Sequence, residues 1–262
     1  WINTLIASTL PSGSLSALTI AFQIFTFPQA VIAQAIATAV FPTFSAQAAR
    51  GERDALRGTL ASALNLTLFL SLPATLGLIL LGGPIIALLF ESGKFTATST
   101  ALVAWALLWY AVGLIGHSVV EVVTRAFYAL KDTRTPVLIG AGAMILNVIF
   151  SLTFTRLFAA WGWFPHGGLA LGNSLATAIE MVGLVIVLRQ RLGGLDGRIM
   201  IGSVTRAAIA TTGMGIAVIG WGKMVAAPLW LIGAGGAIVG AAIYFLIAWI
   251  VRSPEMRLLR RS

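Results

Sequence analysis

An all-α integral membrane protein, of about seven transmembrane helices preceded by the end of an eighth, is what the sequence predicts. Three observations carry that expectation. The 262 residues are 58% hydrophobic and 10% charged, where a soluble domain is roughly a quarter charged, so too few charged side chains exist to coat a water-soluble enzyme. The mean hydropathy is +0.97, and it is concentrated in apolar runs of about 20 residues, the length that crosses a bilayer core. Lys and Arg fall in short clusters between those runs. The net charge of +9 is therefore a topology signal, because no single basic face exists to grip nucleic acid. With no cysteine in the chain, disulfides, thiol nucleophiles and Cys-ligated metals are ruled out.

The runs extend approximately over 15–40, 60–81, 101–123, 137–155, 169–188, 199–221 and 229–250. Each is a helix, because lipid offers no partner to an open strand edge and the residue-by-residue alternation of a barrel is absent. Residues 1–10 read as the last turns of an earlier helix, stopped by Pro11-Ser12-Gly13, so the chain looks like a piece that begins within a span. The glycines fall mostly inside spans, as at Gly233, Gly235, Gly236 and Gly240, where small residues let helices approach.

Cations in short loops are retained on the cytoplasmic side. Arg50, Arg53 and Arg57, then Arg125, Lys131 and Arg134, then Arg189, Arg191 and Arg198, and finally Arg252, Arg257, Arg260 and Arg261 share one side, against Lys94, Arg156 and Lys223 on the other. The C-terminus is thus expected in the cytoplasm, and Trp161, Trp163, Trp221 and Trp230 at the outer interface. Arg206, just inside the sixth span, can snorkel to the cation-rich side.

Polar side chains within the spans carry the functional information, since hydrocarbon demands a partner, a wet cavity or a role for each. Ser16, Thr19, Gln23 and Thr26 are three or four residues apart and share one helical face, followed by Pro28, which removes a backbone donor and should kink the helix. That face either lines a transport cavity or bonds neighbouring helices together. Asn147 and Ser151 share a face of the fourth span, and Asn173, Thr177 and Glu180 a face of the fifth. If the two faces meet, their oxygens suit a hard monovalent cation; the alternative is an Asn-to-Asn bond between helices. Glu180, at mid-span, must be protonated, paired or in contact with water. His117, Glu121 and Arg125 are successively four apart, which suits a Glu–Arg helical pair that His117 either extends as a proton relay or leaves as an interfacial salt bridge. No phosphate-binding Gly-rich loop and no His-Glu-x-x-His occurs, so no enzyme constellation and no metal centre is expected.

Several stretches resemble the lipid II flippase (MurJ, or MviN) family of the multidrug/oligosaccharidyl-lipid/polysaccharide exporter superfamily. They are residues 10–18 (Leu10-Pro11-Ser12-Gly13 onward), 35–45 (with Phe41-Pro42-Thr43-Phe44), 89–96 (Phe90-Glu91-Ser92-Gly93-Lys94), 125–136 (Arg125-Ala126-Phe127-Tyr128-Ala129-Leu130-Lys131-Asp132-Thr133-Arg134-Thr135-Pro136) and Gly168-Leu169-Ala170-Leu171. The resemblance implies a fourteen-helix, two-lobe transporter of the bacterial plasma membrane, of which this chain is the second half, working by alternating access without covalent chemistry; residues 1–193 would be its second six-helix lobe with the first helix truncated, and 194–262 two additional C-terminal helices with a basic cytoplasmic tail. Its implied partners are the undecaprenyl-diphosphate-linked peptidoglycan precursor, membrane lipid and a missing N-terminal lobe; nucleic acid is not among them. Ser16, Thr19, Gln23 and Thr26 then match the cavity wall, and the last two spans match the helices that hold the lipid tail. Where proteobacterial relatives carry an Arg and, three residues on, a Glu, this chain has Gln23 and Thr26. Some relatives also hold sodium between helices seven, eleven and twelve; the resemblance puts Asn147 and Asn173 at two of those positions, and Ser151 where a carboxylate is expected. No cofactor is implied, and a coupling cation (sodium or proton) or the membrane potential is left to drive the cycle. The readings that compete are a flippase for another polyprenyl-linked glycan, a drug antiporter, and a non-transporting scaffold for cell-wall enzymes.

Overall fold

The computed structural model describes residues 2–195, 197–225 and 229–256, apart from the side chains of Ile2, Arg198, Ile199, Leu229 and Trp230. The expectations for Trp1, Arg198, Trp230, Arg257, Arg260 and Arg261 therefore lie outside the described residues. Ten α-helices are described: α1 (Ile2–Ser8), α2 (Ser14–Gln29), α3 (Ala35–Ala49), α4 (Arg53–Phe90), α5 (Ala97–Val112), α6 (Leu114–Ala129), α7 (Arg134–Ala160), α8 (His166–Arg191), α9 (Gly197–Met224) and α10 (Leu229–Ile250). No strand is described. Among the described residues, six spans are long and apolar enough to cross a membrane, and the pair α5 and α6, bent by 45°, makes a seventh when taken as one span.

The chain turns after α1 at Gly13, whose φ of +89° is one that a side chain would resist. From there α2 and α3 run as one 36-residue span through a π-helical stretch at Ala30–Gln34. Pro28 has no N–H for the Ile24 carbonyl, and the irregularity expected from it takes the form of this widened turn. The span ends nine residues beyond the apolar run, and α4 likewise extends well past residues 60–81 at both ends. Hydropathy marks the part that fits the membrane, whereas a helix continues until its backbone meets a breaker. The 38 residues of α4 reach about 57 Å at 1.5 Å per residue.

The third span is the clearest departure from the sequence reading. It breaks at Gly113, whose N–H bonds back three residues to the Tyr110 carbonyl, which leaves the Trp109 carbonyl to accept from the Ser174 hydroxyl of α8 at 2.7 Å. A Cβ at position 113 would stand 2.5 Å from Ser174 Oγ, so α8 approaches where only glycine fits.

The α7–α8 hairpin is built on the same device. A Cβ on Gly168 would lie 2.5 Å from the backbone of Phe154 and Thr155, and one on Gly172 would lie 2.8 Å from Ser151 N. Three hydrophobic clusters bind the bundle. One gathers Phe44, Leu60, Phe127 and Leu188 from α3, α4, α6 and α8; a second gathers Ala21, Phe25, Leu107 and Leu169; a third gathers Phe69, Met214 and Tyr244, where α9 and α10 join α4. As expected, Gly233, Gly236 and Gly240 sit at this last contact, facing Pro84, Leu81 and Val218. Trp161 and Trp163 are exposed and join Trp105 and Phe158 in an aromatic cluster. Trp221 differs: its ring lies against Gly235 of α10.

Candidate functional site

Two cavities flank the bundle, one polar and one apolar. The polar one has a volume of about 490 Å³ and lies among α1, α6, α7 and α8, lined by Asn3, His117, Gly140, Asn147, Asn173, Thr177 and Glu180 with small and apolar neighbours. Asn147 of the fourth span and Asn173, Thr177 and Glu180 of the fifth thus line one cavity. The close α7–α8 contact at Gly168 and Gly172 sets the spacing of the two helices. His117 Nε2 is 3.1 Å from Asn173 Oδ1 and 3.2 Å from Thr177 Oγ1, within hydrogen-bond reach of both α8 side chains. Ser151, fully buried, donates to Asn3 Oδ1 at 3.3 Å.

Two alternatives left open by the sequence take a definite form here. His117 does not extend the Glu121–Arg125 pair; it turns across to α8, while Arg125 Nη2 and Glu121 Oε1 bond on their own at 3.0 Å. Asn147 lines the cavity, yet among the described residues it shares no hydrogen bond with Asn173, whose partner is His117. Asn3 was not singled out by its sequence, because seven helical residues are too few to show a polar face. No group of three or more His, Asp or Glu side chains that could hold a metal occurs among the described residues.

Glu180 stands 14 positions after His166 and 11 before Arg191, about 21 Å and about 16 Å along the axis at 1.5 Å per residue. It is half-buried, and among the described residues no cation pairs with it. A Cβ at position 140 would be 3.3 Å from its Oε1, so the bare backbone of Gly140 leaves space for the carboxyl. An ionised carboxylate at such a depth costs at least about 2.5 kcal/mol on insertion scales.

The apolar groove measures about 730 Å³ and runs between the Pro28 region, α4 and the helices α9 and α10; its walls include Gln23, Phe27, Pro73, Gly77, Leu81, Gly240 and Tyr244. Of the polar stripe, Ser16, Thr19 and Gln23 are exposed and Thr26 is half-buried, on the side of α2 away from buried Ala17, Ala21 and Phe25. Thr19 Oγ1 donates to the Leu15 carbonyl and Thr26 Oγ1 to the Phe22 carbonyl, each at 2.9 Å. Their hydroxyls are thus satisfied within α2, and only Gln23 reaches the groove.

A third arrangement lies in the loop between α6 and α7, within the stretch 125–136. Arg191 Nη1 meets Asp132 Oδ2 at 2.6 Å, and its Nη2 donates to Thr135 Oγ1 at 3.1 Å, with the guanidinium 5.7 Å from the Phe127 ring centre. The hydroxyl and backbone N–H of Thr135, followed by the Arg191 charge, hold the Asp132 carboxyl below its usual range. Residues of the α6–α7 turn thereby clasp the end of α8.

The family model described as lipid II flippase MurJ matches residues 1–236. The chain belongs to the lipid II flippase MurJ family. The probable lipid II flippase MurJ of Rhizobium meliloti is 33% identical over 280 residues, covering 100% of this chain and 49% of that protein. The lipid II flippase MurJ of Burkholderia cenocepacia is 32% identical over 190 residues, covering 72% of this chain and 36% of that protein. A solved lipid II flippase MurJ in an inward closed conformation superposes with a TM-score of 0.78 at 22% identity, covering 95% of this chain and 49% of the other; at that identity the likeness is one of fold. This MurJ-family chain spans about half the length of the Rhizobium relative and of the solved structure, and it is a multi-pass membrane protein.

Proposed function

We propose that this chain is the second half of a lipid II flippase of the bacterial plasma membrane, moving the undecaprenyl-diphosphate-linked peptidoglycan precursor from the inner to the outer leaflet. Residues 1–193 are its second lobe and 194–262 its two added helices, with the C-terminus in the cytoplasm as the cation distribution requires. The observation that carries this reading is the position of Gln23, which stands on the exposed polar face of α2 and also in the wall of the apolar groove. Surface suited to a hydrated headgroup and surface suited to a polyprenyl tail meet at that one residue. With Gln23 and Thr26 in place of charged residues, this lobe contacts the headgroup through neutral hydrogen bonds, and charge neutralisation of the diphosphate falls to the partner lobe.

Transport in this scheme needs no covalent chemistry. The lobes rock about the cavity between them, as repeat-built transporters do; substrate binding shifts the balance of inward and outward states, and a coupling cation or the membrane potential gives the cycle its direction. The test is lipid II translocation by the intact protein carrying Gln23→Trp, read as access of an externally added lipid II-cleaving enzyme to its substrate. The expected result is normal membrane insertion with translocation reduced by about tenfold or more, equivalent to about 1.4 kcal/mol. Undiminished translocation would remove Gln23 from the substrate path.

A further inference from the structure

Resting on that flippase reading, we infer that the segment Arg252–Met256 is a releasable strap that seals the cytoplasmic end of the apolar groove, with Glu255 as the positioning residue that latches it to α9. The groove is lined along α10 from Gly236 to Phe245 and on α9 by Met214 and Val218, so it occupies the centre and outer half of the bundle and stops at the level of Tyr244. Ser203 stands 11 residues before Met214, about 16 Å nearer the cytoplasm at 1.5 Å per residue. Between those two levels the space is filled. Phe69, Ala207, Ala210, Tyr244 and Ala248 form one buried cluster, and Met256 of the strap packs against it. A polyprenyl tail arriving from the inner leaflet therefore meets a plug before it reaches the groove.

The latch is a buried carboxylate held by hydroxyls alone. Glu255 is 2% exposed; one oxygen accepts from the Ser203 hydroxyl of α9 and the other from the Ser253 hydroxyl at 2.6 Å, and among the described residues no cation pairs with it. The turn that carries the strap works against the latch. Arg252 ends α10 with φ at +53°, its N–H bonded to the Trp249 carbonyl and that of Ser253 to the Ala248 carbonyl, a helix end usually built with glycine because a side chain there crowds the backbone. A strained hinge beside two hydrogen bonds gives the strap two states, latched beneath the groove and swung away from it. A tail that fits only where the strap has swung away shifts the balance toward that state, so the inner-leaflet end of the groove opens when substrate is present and closes behind it.

Two measurements on the intact protein in vesicles, freed of any other cysteine, test this. In the first, Ser203→Cys and Ser253→Cys are combined, bridged by a short bifunctional thiosulfonate and released by a reductant. The bridged protein should translocate lipid II about tenfold or more slowly than the reduced one, as when the competent state falls to a tenth of its population, and reduction should restore the rate, which a merely structural role would not do. The second keeps the test open should that pair fail to fold: the rate at which N-ethylmaleimide labels Met256→Cys. Labelling should rise severalfold when lipid II is added, should be fast without it when Glu255→Ala is introduced, and should slow when Arg252→Asn is introduced, since asparagine tolerates the hinge conformation and favours the latched state. Equal, measurable translocation before and after reduction, or labelling of Met256→Cys that lipid II leaves unchanged, overturns the strap. Labelling that rises with undecaprenyl phosphate, in vesicles that move no lipid II in either thiol state, would count against the flippase reading and leave the strap standing.

Discussion

The hydroxyl of Tyr244 donates to the main-chain carbonyl of Phe69, a carbonyl that Pro73, four residues on, cannot serve. Pro73 therefore opens a gap in the hydrogen-bond ladder of α4, and α10 fills it from outside. The two rings also touch, with centroids 5.1 Å apart, inside the cluster where the last two helices meet α4. Because both residues are almost fully buried, water cannot replace the bond.

Removal of that hydroxyl should expose the defect. Tyr244→Phe keeps the ring but leaves the Phe69 carbonyl unsatisfied, a loss of about 1–3 kcal/mol. Pro73→Ala restores the helical donor, so the double variant should recover part of the loss and the two effects should not add. Thermal unfolding of the intact protein in detergent, run as a double-mutant cycle, checks this. Additive losses would mean that Tyr244 acts on something other than the Pro73 gap.

How much of this was legible in the sequence follows from what each signal measures. The seven spans were legible because hydropathy reports the match of a segment to lipid, a property of the segment alone. The break at Gly113 was not, because Gly113 is one glycine among many in apolar runs and only the arrival of Ser174 at Trp109 makes it a break. The cavity was partly legible: the helical spacing of Asn147 with Ser151, and of Asn173 with Glu180, placed each pair on one face, and the faces do converge. The allegiance of His117 was not legible, since its spacing to Glu121 fits a helical pair and the competing partners, Asn173 and Thr177, lie on another helix. The stripe on α2 is legible as a face, and the structure leaves Ser16, Thr19 and Gln23 of it exposed.

The α7–α8 hairpin gives a contrast between two glycines, one on each helix. At Gly168 a methyl group would stand 2.5 Å from main-chain atoms of Phe154 and Thr155, whereas at Gly142 nothing lies within 4 Å. Backbone cannot rotate aside as a side chain does, so Gly168→Ala should force the helices apart and cost about 1–3 kcal/mol or more. Gly142→Ala should be neutral or stabilising by up to about 1 kcal/mol, because alanine is the better helix former. Detergent melting curves for the two variants, compared directly, decide the matter; equal destabilisation would mean that the hairpin is looser than the glycine contacts imply.

The Asp132 clasp makes a prediction in pH. Its carboxyl titrates below the ordinary range because the Thr135 hydroxyl and N–H, and then Arg191, favour the ionised form. A group whose folded value is depressed binds fewer protons in the folded state, so its contribution is complete above the unfolded value, about 3.9, and is lost as the pH falls through the folded value. The melting temperature of the wild type should therefore fall more steeply below about pH 4 than that of Asp132→Asn, which lacks the titrating group and should be less stable at neutral pH. Arg191→Gln should resemble Asp132→Asn in stability at neutral pH but keep part of the acid dependence, since Thr135 is the larger cause of the shift. Parallel pH profiles for the wild type and Asp132→Asn would show that the α6–α7 turn is held to the end of α8 by something other than this carboxylate.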